Sequence, residues 1–385
     1  MSYPSTFPSD CRPEFSNNLT TYIWYAYSWM FTRSEIQTFT FGLPIVLIIG
    51  TLSNGAFLFV VFKIERLHTI TNLYLATLAF VDVTFVVSSA GSYLYAFTVS
   101  PVRHDAPYDS FIGCTLIFGI TLAVYFTSIG LVTLVTLERY YGICLPFQHR
   151  VIASKSRTRK LIASTCLIGL VLGAIESLKF SKLDKWCVIW PHLPDFQGWP
   201  QKVGFCVPLH ENVVLLGEFV DTVPFFVALI WNGYMYARIM YSLSHREVIQ
   251  KESENDSMGQ LQVQATKVRK QVARLLIING MLFFFCQIWV RFNAINNILS
   301  NITGSGFYKN AETSGLMLVF GRCMLYVNSS LNPVIYNLAS SFYRDAFKEA
   351  FFGNLFNREK ATTLAVGSSS KETDVLSDKQ INTNI

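Results

Sequence analysis

The chain has 385 residues, of which 51% are hydrophobic and 15% charged, and its formal net charge is +6. Soluble globular proteins usually carry about 25% charged residues, so the composition disfavours a set of soluble domains. The sequence contains no basic segment interleaved with aromatic residues, which argues against a nucleic-acid partner.

The apolar residues fall in blocks of about 20 residues or more, enough to cross a hydrocarbon core of about 30 Å. These blocks predict an all-α membrane protein with seven transmembrane helices in residues 39–340. The spans lie at about 39–62, 71–96, 112–138, 160–178, 212–236, 272–299 and 313–337. The fourth is the weakest prediction, because Glu176 and Lys179 lie at its end.

Three further segments flank or follow the spans. Residues 1–38 are polar and aromatic and are predicted to form an extracellular N-terminal segment. Residues 341–352 (SFYRDAFKEAFF) alternate phenylalanines with charges, a pattern typical of an amphipathic helix lying on membrane lipid. Residues 353–385 are rich in Ser, Thr, Lys and Asp and are expected to be a disordered cytoplasmic tail.

Lysine and arginine are concentrated on one side of the predicted spans. The segments 63–71, 139–160, 238–274 and 341–385 hold 21 of them, against nine on the other side. Because cytoplasmic loops carry the excess, we predict a multi-pass membrane protein with its N-terminus outside and its C-terminus inside. Asn18 and Asn301 begin glycosylation sequons on predicted outside segments.

One carboxylate is predicted at membrane depth. Asp82 lies 11 residues into the second span, about 16 Å deep by helical rise, and a charge there is costly. Its expected neighbours in the first, third and seventh spans are Asn54, Ser128, Asn328, Ser329 and Asn332. A carboxylate among neutral oxygens suits either a hard cation or a water network that joins helices.

The cysteines indicate disulfides on the outer side. Cys114 precedes the third span and Cys206 lies in the loop before the fifth, both on the predicted oxidising side, where a disulfide between them would attach that loop to the bundle. Cys11 and Cys187 lie on that side too and could form a second bridge, although connectivity cannot be deduced from sequence.

A charged motif ends the third span. Glu138, Arg139 and Tyr140 follow Cys114 by about 25 residues, or about 37 Å of helix. One helix therefore carries the cysteine outside and the arginine inside.

A proline motif ends the seventh span, where Asn332-Pro333 is followed by Tyr336. Proline removes a backbone hydrogen bond and allows a bend. A bend near the inner face provides a hinge for a helix that must move.

Together these motifs resemble rhodopsin-like (class A) G-protein-coupled receptors over about residues 39–352. The resemblance is carried by Gly50-x-x-x-Asn54, NLYLATLAFVD ending at Asp82, Cys114, Glu138-Arg139-Tyr140 and Asn332-Pro333-x-x-Tyr336. The segments ERYYGICLPFQ and NSSLNPVIYNLASSFYRDAF are similar to the neuropeptide-receptor group for thyrotropin-releasing hormone, neuromedin U and ghrelin.

The resemblance implies a receptor for an extracellular peptide that activates a heterotrimeric G protein of the Gq type, with calcium and inositol phosphate signalling. It implies arrestin as a further partner and no cofactor other than an allosteric sodium ion. By the same resemblance, Glu138, Arg139, Tyr140, Asn332, Pro333 and Tyr336 act in G-protein coupling and switching. The sodium ligands are then Asp82, Ser128, Asn328, Ser329 and Asn332.

The sixth span departs from the family pattern. Gln287 occupies the usual tryptophan position and Trp289 the usual proline position. Without that proline the helix lacks its usual kink, which leaves the details of switching open.

The expected ligand site lies toward the outer side. Thr121 stands where amine receptors carry an aspartate, so an amine ligand is disfavoured. Arg291 and Arg322 lie about 12 Å and 14 Å below the outer ends of their helices, and both match pocket arginines of the thyrotropin-releasing-hormone receptor. Because arginine binds carboxylates and carbonyls, a short peptide, amidated or not, is expected.

Alternatives remain at this site. Glu218 and Asp221 are spaced to face the same side of the fifth span, so Asp221 could pair with one arginine internally. Tyr326, one turn beyond Arg322, lines the cavity or merely packs.

Other functional classes fit less well. Transporters and channels commonly show internal repeats and several midplane charges, whereas this chain shows no repeat and one deep acid. A class A receptor for a non-peptide ligand is a further alternative. An enzyme is not expected, because no HExxH, Gly-rich phosphate loop or paired histidine cluster occurs in the spans.

Overall fold

Seven long helices form the body of the protein in a computed structural model that describes residues 7, 8, 11, 13–251, 257–307 and 311–353. In chain order they are α1 Leu43–Lys63, α2 Ile70–Val99, α3 Phe111–Cys144, α4 Lys155–Ser177, α5 Glu211–Lys251, α6 Ser257–Thr303 and α7 Ala311–Ala339. Each predicted span lies on one of these helices to within a few residues. The predicted seven-helix bundle is therefore confirmed.

The helices extend beyond the apolar blocks because capping residues fix their ends. Helical turns from Arg33 precede α1, and the Thr32 amide donates to the Glu35 carboxylate at 2.9 Å in a capping box. The Ser154 hydroxyl accepts from the Arg157 amide and caps α4 five residues before the predicted start. Hydropathy identifies only the apolar part of a helix, so these polar turns were missed.

The bundle has the surface of a membrane protein. Among the described residues, six helical segments are long and apolar enough to cross a membrane, namely Arg33–Lys63, Ile70–Val99, Phe111–Cys144, Lys155–Phe180, Glu211–Ser244 and Ala273–Thr303. The seventh helix, α7, carries Arg322 and a polar run at 328–330, and it packs against α1, α2 and α6. Leu52 and Ile230 are 67% and 73% exposed, whereas Asp82 is 1% exposed. Apolar side chains outside and polar ones inside suit a lipid surrounding.

Two glycines allow α3 and α4 to pack closely. A Cβ at Gly173 would lie 2.5 Å from the backbone nitrogen of Ala123, and one at Gly169 would lie 2.8 Å from the Ala123 carbonyl oxygen. Their spacing of four residues puts both on one face of α4, as in small-xxx-small packing of membrane helices. This packing sets the position of Glu176 at the end of α4.

Residues 341–353 form an eighth helix, α8, where the amphipathic pattern predicted one. Tyr343 is buried and donates to the Asn72 side chain at 2.7 Å. Arg66 pairs with Glu349 at 2.8 Å. α8 is thereby attached to the ends of α1 and α2. The tail predicted at 353–385 lies outside the described residues beyond 353.

A three-stranded sheet lies at the opposite end of the bundle. Strand β1 (Ser16–Asn18) pairs in parallel with β2 (Lys182–Ile189), and β2 pairs antiparallel with β3 (Lys202–Val207). This sheet was not predicted, so the all-α description holds for the bundle but is incomplete for the chain.

Two disulfides attach the sheet to its surroundings. Cys114–Cys206 joins β3 to α3, as predicted, and Cys11–Cys187 joins the N-terminal segment to β2. We call this the disulfide end of the bundle, and the other the Arg139 end. Together, residues 13–30 and 182–207 form what we call the cap.

Candidate functional site

Arg291 of α6 is buried and paired within the protein. Its guanidinium forms an ion pair with the Asp221 carboxylate of α5, and its Nη1 donates to the Asp221 carbonyl at 2.7 Å. The same guanidinium lies 5.1 Å from the ring centre of Tyr125 and 5.7 Å from that of Phe225. Of the two alternatives left open by the sequence, the structure therefore shows the one in which Asp221 pairs with an arginine, namely Arg291.

Arg322 of α7 has a different environment. It is half-buried, and its guanidinium lies 4.8 Å from the ring centre of Tyr93 on α2. Among the described residues, no carboxylate lies within ion-pair distance of it. Arg322 faces α2 while Arg291 contacts α3 and α5, so the two guanidiniums engage different sides of the bundle.

The other two predicted ligand residues also contact α2. Thr121 donates to Ser88 at 3.0 Å, and the hydroxyls of Tyr326 and Ser89 lie 2.9 Å apart. Thr121, Arg322 and Tyr326 therefore converge on one stretch of α2, from Ser88 to Tyr93. Sequence reasoning missed this stretch, because serines and tyrosines give no charge signal in a span.

Asp82 of α2 connects to α7 through its carboxylate. Asn332 donates to it at 2.6 Å, and the Ser329 side chain hydrogen-bonds to it as well. Asn54 of α1 donates to the Ser329 carbonyl at 2.9 Å. Ser128 and Asn328, the other predicted neighbours, are buried too, but no hydrogen bond among the described residues joins them to Asp82.

The composition of this network fits a cation of sodium type. The buried amide oxygens of Asn54, Asn328 and Asn332 accept no hydrogen bond from a described group. Such oxygens beside a carboxylate are the donors that hard cations prefer.

At the Arg139 end, the charged motif contacts the loop that follows α3. The Glu138 carboxylate lies 2.6 Å from Nε2 of His149, which belongs to a short helix at Pro146–Ile152. Arg139 is half-buried, and its charge acts on the hydroxyl of Tyr343 in α8. Tyr140 packs on Tyr234 of α5 with 6.5 Å between ring centres.

The proline motif lies at the same end. Pro333 is inside α7, and buried Tyr336 packs on Phe57 and accepts from Asn279 of α6 at 3.4 Å. α6 has no proline and is a continuous helix from Ser257 to Thr303. Trp289, at the usual proline position, packs on Phe320 of α7 with 5.1 Å between ring centres.

Comparisons with known proteins agree with this geometry. The chain matches the family described as 7 transmembrane receptor (rhodopsin family) over residues 53–336. It is 26% identical to the thyrotropin-releasing hormone receptor of Mus musculus, covering 86% of this chain and 84% of the relative. It is 22% identical to growth hormone secretagogue receptor type 1 of Oryctolagus cuniculus, covering 84% and 82%. It is 24% identical to neuromedin-U receptor 1 of Rattus norvegicus, covering 79% and 71%.

The family match spans most of the chain and includes the helices that carry both ends of the candidate site. Members of this family are receptors and not enzymes, which agrees with the absence of a catalytic motif in the spans. The chain belongs to the rhodopsin family of seven-transmembrane receptors.

Proposed function

We propose that this chain is a plasma-membrane receptor for a short extracellular peptide and that ligand binding activates a heterotrimeric G protein. The relatives named for thyrotropin-releasing hormone, growth hormone secretagogue and neuromedin U support a peptide ligand. The same likeness supports coupling to the Gq type with calcium release, and arrestin as a second intracellular partner.

The proposed orientation places the disulfide end outside the cell. Disulfides persist in oxidising compartments, and both bridges lie at that end. Lysine and arginine are enriched in the segments at the Arg139 end, as expected for cytoplasmic loops. The N-terminus is then extracellular and the C-terminus cytoplasmic.

Arg322 is the observation that carries the peptide proposal. A guanidinium inside a membrane span is costly unless it is paired, and the Tyr93 ring supplies only a cation–π contact. Arginine has five N–H donors in a planar fork. Carbonyl or carboxylate oxygens of a peptide, including those of an amidated C-terminus, would accept from this fork. Thr121 and Tyr326 lie on the same side of the bundle and would complete the contact surface.

Activation requires the Arg139 end to admit the G protein. An agonist shifts this equilibrium only by its differential affinity for the two states. In the present conformation Thr136 of α3 donates to Tyr236 of α5 at 3.0 Å, which holds the two helices together. Glu138, Arg139 and Tyr140 lie next to this contact, and the hinge at Asn332, Pro333 and Tyr336 lies beside the Asp82 network. That network would also hold the sodium ion.

The test is a calcium-release screen of short amidated and unamidated peptides on cells expressing the full chain. We expect Arg322→Gln to raise the half-maximal concentration of an active peptide by at least about tenfold, because a charge-assisted hydrogen bond is lost. Arg322→Lys keeps the positive charge but lacks the planar fork of donors, so its half-maximal concentration should lie between those of wild type and Arg322→Gln. Arg103→Gln, which removes an arginine paired with Glu35 at the same end, is the control and should respond as wild type. Unchanged potency in Arg322→Gln would reject Arg322 as a ligand contact.

A further inference from the structure

Five charged side chains form a buried cluster at the disulfide half of the bundle. Glu176 ends α4, Lys179 follows it, Glu218 and Asp221 lie on α5, and Arg291 lies on α6. Three carboxylates face two cations among the described residues, which leaves one negative charge in excess. A buried unpaired charge is costly, so this excess calls for a partner.

The pairing inside the cluster leaves one carboxylate oxygen unused. Asp221 is occupied by Arg291. Lys179 is shared between Oε1 of Glu176 and Oε1 of Glu218, the latter at 3.4 Å, and Asn297 also donates to Glu218 at 3.3 Å. Glu176 is 2% exposed, and its second oxygen, Oε2, has no hydrogen-bond partner among the described residues. Asp221 and Glu218 also repel this carboxylate.

A second unpartnered group lies in the same cluster. The Tyr125 hydroxyl on α3 has no hydrogen-bond partner among the described residues, and Tyr125 is 5% exposed. Its ring lies under the Arg291 guanidinium, and the charges of Asp221 and Glu176 act on its hydroxyl. Leaving a buried hydroxyl without a partner is unfavourable. α3 and α4 thus each bring an unused buried oxygen to the cluster.

The chemistry of these oxygens indicates the group they would bind. A carboxylate oxygen and a phenol oxygen suit the N–H donors of a guanidinium or ammonium group, which form charge-assisted hydrogen bonds.

We propose that the ligand site contains a second subsite in which Oε2 of Glu176 and the hydroxyl of Tyr125 accept a guanidinium or ammonium group of the ligand. This subsite rests on the proposed function, because it needs a ligand that enters from the disulfide end. With Arg322 binding carbonyl or carboxylate oxygens, the preferred peptide carries a basic group in addition to an acceptor group.

The test uses two pools of C-terminally amidated tripeptides that differ only in having arginine or its neutral isostere citrulline at one position. Binding is measured by the shift in thermal unfolding of the purified full-length receptor, and activation by calcium release. We expect wild type to respond to the arginine pool at a concentration at least about tenfold lower than to the citrulline pool, as for a close charge pair at an interface.

Variants connect this preference to the cluster. Glu176→Gln leaves two carboxylates for two cations, so it should fold, and the ratio between the pools should fall to about one. Tyr125→Phe keeps the ring and should reduce the ratio severalfold. Asp184→Asn removes a carboxylate that pairs with Lys182 on β2 and, as a control at the same end, should retain the ratio.

The failures of the two proposals are distinguishable. A ratio near one in wild type, or a full ratio in Glu176→Gln, would overturn the subsite while responses lost in Arg322→Gln still support a peptide receptor. Absence of any response to either pool in wild type would overturn the subsite together with the proposed ligand class.

Discussion

Partial desolvation lowers the pKa of His104 below the usual value for histidine, although the residue is exposed at the surface. This residue lies in the loop between α2 and α3 at the disulfide end, and its backbone is in the left-handed region with φ of 65°. The positive charges of Arg103 and Arg322 lower the pKa further, and Glu35 opposes them. The folded protein therefore favours the neutral imidazole.

The folded receptor should lose stability as acidification protonates His104. The pKa of His104 is lower in the folded protein than in the unfolded chain. Its contribution to folding stability is therefore complete above the unfolded-state pKa and is lost as the pH falls toward the folded-state pKa. We expect the thermal unfolding midpoint of purified wild type to fall between about pH 7.5 and about pH 5.5. His104→Asn keeps a residue that accepts positive φ but cannot titrate, so its midpoint should fall less. An equal fall in both proteins would assign the pH dependence to other groups.

At the level of helices, the contact between α5 and α6 near the Arg139 end depends on Gly280. A Cβ at Gly280 would lie 1.8 Å from the Tyr236 hydroxyl oxygen, so any side chain there must displace Tyr236. Tyr236 also accepts the hydrogen bond from Thr136 of α3. One glycine therefore allows α3, α5 and α6 to stay in contact.

Gly280→Ala should raise signalling in the absence of ligand. Displacing Tyr236 breaks its hydrogen bond to Thr136 at a cost of about 1 kcal/mol. This loss favours the conformation that admits the G protein about fivefold. The measurement is nucleotide exchange on the G protein at equal surface expression. Gly233→Ala, on α5 with no atom within 4 Å of the added Cβ, controls for the gain in helix propensity. Basal exchange equal to that of this control would contradict a role for the contact.

The elements differ in how far sequence could predict them. The seven helices follow from hydropathy, because lipid imposes the same requirement on every span. The pairing of Ser16 with Cys187 joins segments about 170 residues apart, and no local pattern encodes it. Likewise, the ion pair of Arg291 with Asp221 was one of two alternatives, because helical spacing gives a depth but not a partner.

The sequence prediction missed several residues of the candidate site for the same reason, namely that a local pattern does not encode which side chains meet. Glu176 and Lys179 weakened the prediction of the fourth span, since charges near the end of an apolar block resemble the start of a loop. In the structure they pair with each other inside the bundle. The side chains of α2 that meet Thr121, Arg322 and Tyr326 are neutral, so only the packed structure identifies them.

For the molecule as a whole, the cap and the bundle form one connected unit. The cap has its own aromatic core, in which Trp190 contacts Trp29 at 5.7 Å and Trp199 at 4.7 Å between ring centres. Both disulfides connect it, one to the N-terminal segment and one to α3. A ligand reaching Arg322 from this end must pass beside the cap, so the cap contributes to the entrance of the proposed site.

The orientation of this unit decides whether the proposed site meets extracellular peptides, and the sequons provide a test. Asn18 is exposed in the cap, and its side chain accepts from the Thr20 hydroxyl at 2.7 Å. Asn301 lies in the last turn of α6, where its amide nitrogen donates to the Asn297 carbonyl at 2.8 Å. Because this amide is already bonded in a helix, we expect Asn18 to be the main glycosylated residue. Glycosidase treatment should increase the gel mobility of wild type, and Asn18→Gln should remove most of that shift whereas Asn301→Gln should not.

Tags at the two termini should label on opposite sides of intact cells. Labelling of both on one side, or no glycosidase shift, would contradict the proposed topology, and the assignment of Arg322 to an extracellular peptide would no longer hold.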